Sequence, residues 1–517
     1  LDKLGQVAFL SGSTLNPGGQ NQFKDSSIHI GASKDMSGML WFAEGSTLEL
    51  DVGHVNGRVA HDKLFVNPGS TQSGSIVSGY GENGSYNVKV RFLGLQGVQG
   101  QELVLAQASK TIMPGKLVQP LAIDDHLYQI GSAPDGGERM VYQVSSVKFD
   151  QAGLDGPARS VARQLDDQLA AGNFGLESSM VAALGYYAGQ ESEYAEQLAE
   201  LAESGVTSRA VGHRKQGLAV HNNLHSCLTF VGDGLGLVEE NCTYARVTGS
   251  DMRLDGESGS DSNQSVKGSQ LVFGGQRQIG DGLFAGLMLG FGNASADSSD
   301  AEYRSTSESV TLGAVIKKRF AQKYEVAFSG TYSHGWSDST RVVNSTLAPT
   351  AYLSGSNKSN EAGLRLRLSY YATTDHAYIK PYVDFDARYY QSDAFTETGN
   401  SPFAMQYPSM NFWTYTATPQ LEVGTRLNTD SGVWRAYVSG GVALSSDDKQ
   451  TMLADFVATS GGAPVEMEFD ATPTMGIVKV GVEYVGKDDV FANFGYEGKF
   501  GGGVRQQSVT ARVGLRF

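Results

Sequence analysis

The chain has 517 residues, with 40 Lys+Arg against 55 Asp+Glu and a formal charge of −15. No basic stripe exists to displace counterions, which excludes a nucleic-acid partner, and a hydrophobic share of 40% is too apolar for disorder. No run reaches the ~18 consecutive apolar residues of a spanning helix, so an α-helical membrane protein is excluded and a β-barrel is not.

Residues 1–149 carry short apolar alternations such as Thr47-Leu48-Glu49-Leu50-Asp51-Val52 and Tyr86-Asn87-Val88-Lys89-Val90-Arg91-Phe92, separated by Gly/Asn/Ser turn clusters. They read as short strands. Loose spacing without two-residue hairpin turns favours a right-handed parallel β-helix over a β-sandwich. The opening Leu1-Asp2-Lys3-Leu4 lacks the features of a signal peptide, so either a signal has been removed or the chain is a piece of something longer.

Residues 150–205 read as helical. Pro157 opens a stretch with Val161, Leu165 and Leu169 four apart, and Gly172 stops it. Met180 to Leu184 begins a second stretch, and Glu191 to Glu203 forms a third, with Tyr194, Leu198, Leu201 and Ala202 on one side. A fourth helix, about Val206 to Cys227 within a lead-in of 206–241, carries Arg209, His213, Arg214, Lys215, His221 and His225 with no acidic residue. It lacks a broad apolar stripe and needs a polar surrounding.

From Cys242 to Phe517 the period becomes two, which is strand grammar. Val509, Ala511, Val513, Leu515 and Phe517 fall on one parity, and Ser508, Thr510, Arg512, Gly514 and Arg516 on the other. Leu364, Leu366, Leu368 and Tyr370 likewise oppose Arg365, Arg367 and Ser369. Tight connections at 280–282, 321–322, 374–375, 430–432 and 487–489 alternate with long polar stretches near 338–357, 392–412 and 446–472. Short turns on one rim and long loops on the other mark an outer-membrane barrel. Phe320, Tyr324, Tyr378, Tyr389, Trp434, Tyr484 and Phe517 sit near segment ends, where a membrane girdle holds them. The segments number roughly twelve. Pro381 and Pro419 fall inside strands and are expected near a rim, since each forfeits a ladder bond.

A lumen of that size admits a helix. The basic segment directly before the first strand is therefore expected to thread it, with Arg209, Arg214 and Lys215 meeting the lumen acids Asp384, Asp386, Glu422 and Glu483. The alternative is a helix packed beneath the barrel. Cys227 and Cys242 flank a loop that a disulfide would close for up to ~3 kcal/mol, pinning the helix to the first strand.

The order of β-rich region, helical segments, pore helix and barrel resembles a monomeric (type V) autotransporter. The matching residues are Val161-Ala162-Arg163-Gln164-Leu165-Asp166, Gly205-Val206-Thr207-Ser208-Arg209, Gln270-Leu271-Val272-Phe273-Gly274-Gly275 and Val513-Gly514-Leu515-Arg516-Phe517. Residues 96–149 resemble the tail of a β-helical passenger that assists its folding. The resemblance implies a mainly β fold with a 12-stranded antiparallel transmembrane β-barrel at 242–517 and a lumenal α-helix. It also implies export of the chain's own passenger to the surface of a Gram-negative cell. Implied partners are outer-membrane lipid and lipopolysaccharide, periplasmic chaperones, and barrel-assembly machinery that reads the terminal Phe517. An adhesive or virulence-related passenger meeting a host surface is a family-level expectation.

Chemistry-bearing motifs are sparse, and neither enzyme activity nor a cofactor or metal is expected. Gly256-Glu257-Ser258-Gly259-Ser260 mimics a protease nucleophile loop but reads as loop filler. His54, His61 and Asp62 lack a GxSxG elbow. His221 and His225 have i, i+4 metal spacing, yet Asn222 stands where a zincin has glutamate. Some self-cleaving autotransporters cut at an Asn pair in the pore helix, but the residues flanking Asn222-Asn223 differ from their motif. The rival readings are a passive porin and an autotransporter with a hydrolase passenger.

Overall fold

The computed structural model describes residues 6–18, 26–30, 38–67, 74–78, 85–172, 191–202, 221–254, 264–298, 303–343 and 350–517, apart from 119, 125, 226, 231–233, 322, 402, 447–448, 459–463 and 471–473. Two compact units divide the chain. One is Leu1–Ala202 with Ser345–Pro349 and Asp455–Val465, and the remainder forms the other.

In the N-terminal unit successive strands visit three sheets in rotation. The first sheet takes Gln6–Phe9, Gly38–Phe42, Gly74–Ser78 and Thr111–Ile112; the second Thr14–Leu15, Thr47–Val55, Asn87–Phe92 and Lys116–Val118; the third Ser27–Ile30, Lys63–Val66 and Glu102–Ala108. Every pairing along these rows is parallel, and the register stacks like on like. Leu40 pairs Ile76 and Ile76 pairs Ile112, while Leu15 pairs Leu48 and Leu48 pairs Val88. These side chains are buried, so each coil covers the apolar floor of the next. Phe42 stacks between Phe9 and Tyr86 at 5.1 and 4.6 Å. The rows end where Glu138–Gln143 and Leu127–Ser132 join the third sheet antiparallel. Among the described residues one tight hairpin interrupts the coil, contrary to the sequence reading. Asn56 and Gly57, both at positive φ, turn Thr47–Val55 back onto Arg58–His61.

Helix Gly156–Ala170 begins with Pro157 in its first turn and is followed by Gly172 at φ +72°. Helix Glu191–Ala202 buries Tyr194, Leu198 and Leu201, and the Tyr194 hydroxyl donates to the Phe149 carbonyl at 2.9 Å. The second helical stretch expected from Met180 lies outside the described residues.

The second unit is a closed antiparallel barrel of twelve strands: Cys242–Leu254, Gln264–Gly280, Leu283–Ser298, Tyr303–Phe320, Tyr324–Val343, Ala351–Tyr370, Tyr378–Ser392, Met410–Thr429, Gly432–Ser445, Met475–Gly486, Val490–Gly501 and Val504–Arg516. The seam pairs first strand with last from Cys242↔Arg516 to Leu254↔Val504, which leaves no open edge. Exposure along the sixth strand settles its orientation. Leu364, Leu366 and Leu368 are 48%, 36% and 39% exposed, whereas Arg365 and Arg367 are 4% and 5%. The charges face inward and the leucines outward, the inverse of a water-soluble barrel.

The tight turns share one rim with the start of the first strand and the end of the last. The opposite rim departs from expectation in places. Residues 338–343 and 351–357 continue the fifth and sixth strands, and residues within 392–412 and 446–472 add a four-stranded sheet of Phe395–Thr396, Met405–Tyr407, Lys449–Phe456 and Val465–Asp470. The girdle takes Phe320, Tyr324 and Trp434 on the outer face, with the Tyr484 ring tilted against Trp434 at 4.8 Å. Tyr378 is a correction: it is buried in the bore and donates to Glu422. Pro419 also stands in mid-strand rather than at a rim. Without its N–H, pairing to the ninth strand lapses between Ala417↔Leu444 and Gln420↔Gly441.

Candidate functional site: the bore and its closure

Alternation that turns one face inward lines the bore with acids and bases from neighbouring strands, one strand spacing apart. Arg367 sits directly opposite Asp384, and Arg365 opposite Asp386. The first pair is bidentate, at 2.6 and 2.7 Å, and the second has Nε donating at 2.7 Å. Glu483 accepts from Arg512 at 2.5 Å and from Arg516 at 2.9 Å, with Arg435 at 3.6 Å. Glu422 accepts from the Tyr378 hydroxyl at 2.7 Å and faces Arg435 at 3.8 Å. Asp384, Asp386, Glu422 and Glu483 are all buried on the bore face, each with an arginine of the wall within 4 Å. Arg209, Arg214 and Lys215, expected as their partners, lie outside the described residues.

The described end of the lumenal segment is a helical turn at 221–223. The Asn222 side-chain oxygen accepts from Arg365 at 2.8 Å and from Arg367 at 3.3 Å, tying the segment to both wall ion pairs. The Asn223 carbonyl accepts from the Tyr244 hydroxyl at 2.6 Å. His221 lies 3.0 Å from the Ser329 hydroxyl and 3.1 Å from that of Thr331, and His225 lies 3.4 Å from Ser329. Both imidazoles are engaged by wall hydroxyls.

Beyond His225 the chain makes a feature the sequence reading passed over as lead-in. Leu228–Phe230 and Leu237–Glu239 form an antiparallel hairpin at the tight-turn rim. A disulfide joins Cys227, just before it, to Cys242 at the start of the first strand. Wall residues hold the hairpin from all around the circumference. Arg516 of the last strand donates to the Leu228 carbonyl at 2.9 Å and to Thr229 at 2.6 Å. Gln276 of the second strand and Lys317 of the fourth reach Glu239 at 2.6 and 2.9 Å. Arg319 donates to the Leu237 carbonyl, and Arg426 of the eighth strand donates to that of Gly234 at 2.9 Å. Leu228 and Leu237 pack on Tyr371 and Tyr378. A hairpin that touches the first, second, fourth, seventh, eighth and last strands spans the mouth.

The other candidates separate. Gly256 to Ser260 lies outside the described residues. His54 contacts the Gln96 carbonyl at 2.5 Å, while His61 contacts the backbone oxygen of Asp62, whose carboxylate accepts the backbone N–H groups of Ser26 and Asp51. Asp62 thus braces the coil, and no nucleophile stands beside it among these contacts.

A closed barrel with a greasy exterior and a charged bore is a transmembrane β-barrel of the Gram-negative outer membrane. Residues 243–497 match the family model described as the autotransporter beta-domain. Residues 243–497 thus carry an autotransporter beta-domain. The translocator domain of autotransporter NalP from Neisseria meningitidis is similar over 61% of this chain and 100% of its own, at 15% identity and TM-score 0.49. The β domain of the Bordetella autotransporter Brka is similar over 54% and 100%, at 12% and 0.38. The transport unit of AIDA-I from Escherichia coli is similar over 58% and 97%, at 11% and 0.37. No curated protein matches the chain.

Proposed function

We propose that the barrel exports and anchors the chain's own N-terminal region, residues 1–149 being the end of a β-helical passenger and 96–149 its folding-assisting tail. The observation that supports this reading is that residues 221–225, shortly before the first strand, bond to the wall inside the bore. A chain tethered through its own pore is arranged for self-export, whereas a passive porin has no use for the tether. Outer-membrane lipid with lipopolysaccharide surrounds the exterior, and periplasmic chaperones with the barrel-assembly machinery place it there. The passenger serves adhesion at a host surface; a hydrolase passenger is disfavoured because His54, His61 and Asp62 form no nucleophile–base set. Protease treatment of intact cells tests export. Loss of the N-terminal region with an intact barrel is expected, and a protected N-terminal region would return the porin reading.

A further inference from the structure

On the bore face of the seam, Arg246 stands directly opposite Arg512. Like charges directly opposite each other across a ladder repel. Arg512 is relieved by Glu483 at 2.5 Å. Arg246 is not. Its other cross-strand neighbour is Val272, and its buried Nε has no hydrogen-bond partner among the described residues. The guanidinium lines a cavity of about 140 Å³ whose described wall also holds Arg367, Arg435 and Arg512, each paired with Asp384 or Glu483, and two carboxylates, Glu422 and Glu497. Both carboxylates are committed elsewhere. Lys479 and Lys499 share Glu497 at 3.1 and 2.9 Å, and Glu422 takes the Tyr378 hydroxyl. The hydroxyls of Thr248 and Thr510, 3.1 Å apart, face the same space.

We infer that this cavity binds a small tetrahedral oxyanion, inorganic phosphate or sulfate, held chiefly by Arg246. A guanidinium with a buried, unpaired Nε is costly, and an oxyanion removes that cost through charge-assisted bonds to the planar group. The threonine hydroxyls are donors that turn toward whichever acceptor enters. Asn222, Asn223, His225 and Leu228 of the lumenal segment close one side of the cavity, while the groups assigned to the anion, Arg246, Thr248 and Thr510, all belong to the wall.

Calorimetric titration of inorganic phosphate into the detergent-solubilised full chain, with chloride holding ionic strength constant, tests this. Saturable binding is expected, weakened at least tenfold by Arg246→Gln and largely kept by Arg246→Lys. The exposed Arg277→Gln should leave it unchanged. Heat-modifiable gel mobility reports whether each barrel is folded. Should Arg246→Gln fail to fold, Thr248→Val with Thr510→Val reads the same site and should weaken binding severalfold. Absence of saturable binding by the wild-type chain, or unchanged affinity in the folded variants, overturns the assignment.

Discussion

Replacing Cys227 and Cys242 by serine should loosen the hairpin that closes the tight-turn mouth. The bond joins residues 15 apart in sequence. Closing a loop of that size is worth about 3 kcal/mol in the chain-entropy account. With the bond intact, the segment is fixed at Cys227 and continuous with the first strand at Cys242, so undocking gains little freedom. Without it, everything before Asn241 is released together. At 1.4 kcal/mol per tenfold, the undocked population should rise about 150-fold. The Lys317–Glu239 pair and the Arg516 bonds remain in the variant, so the hairpin should still dock most of the time. Hydrogen exchange of peptides covering 228–239 reads the opening directly, and single-channel conductance in a planar bilayer reads its consequence. Faster exchange and more frequent open events are expected from the double variant and from wild type treated with a dithiol reductant. Identical exchange in oxidised wild type and variant would show that wall contacts alone hold the hairpin and would refute the entropic argument.

Four further outcomes follow from the wall and the coil. Asp384→Ala strands Arg367 and weakens the surroundings of Arg365, which should cost about 3–5 kcal/mol and lower the temperature of heat-modified mobility. Val480→Arg places a charge on the lipid face of the tenth strand, where Val480 is 50% exposed, and should cost about 2–4 kcal/mol in urea refolding into vesicles. A Cβ at Gly363 would meet His221 Nε2 at 2.7 Å and Thr331 Oγ1 at 2.8 Å, so Gly363→Val should raise exchange in the peptide holding His221 while sparing the barrel strands. Burial raises the Asp62 carboxyl above its ordinary 3.8, against backbone N–H groups of Asp51 and Ser26 that favour the ionised form. Because the native group is the weaker acid, its stabilising contribution is complete below the unfolded value and lost as pH climbs through the native one. Asp62→Asn should therefore flatten the pH dependence of exchange in residues 47–66 from that ordinary value upward, and an unchanged slope would refute it.

Period two was legible because membrane and bore impose opposite demands on alternate residues. The outward leucines at 364, 366 and 368 follow from pattern alone. The partners of the lumen acids did not, because a pair such as Arg367 with Asp384 depends on the register between strands joined across 371–377. Tyr378 misled for a related reason: an aromatic near a strand end suits either a lipid belt or a bore lining, and only the parity shared with Lys380 and Asp384 assigns it inward. In the N-terminal unit the rotation of strands among three sheets follows short-strand spacing, yet Asn56-Gly57 was a plain hairpin signal that the loose spacing obscured.

The surface that receives Leu224 and the disulfide left a mark that the alternation itself conceals. In three strands the period lapses into consecutive apolar residues: Leu271-Val272-Phe273, Leu287-Met288-Leu289 and Ala314-Val315-Ile316. The flanking leucines, phenylalanine and isoleucine are exposed toward lipid, while Val272, Met288 and Val315 between them are buried on the bore side. A wet bore has no reason to carry apolar residues there. These three, with Tyr244 and Phe491, pack against Leu224 and the bonded Cys227 and Cys242. Where the polar half of the pattern fails, the bore is dry because the chain's own segment fills it. Mid-bore, by contrast, the segment touches the wall through single hydrogen bonds such as Asn222 to Arg365. Among the described residues, apolar packing, Glu239 with Lys317 and the disulfide therefore act together on one short stretch at the tight-turn rim.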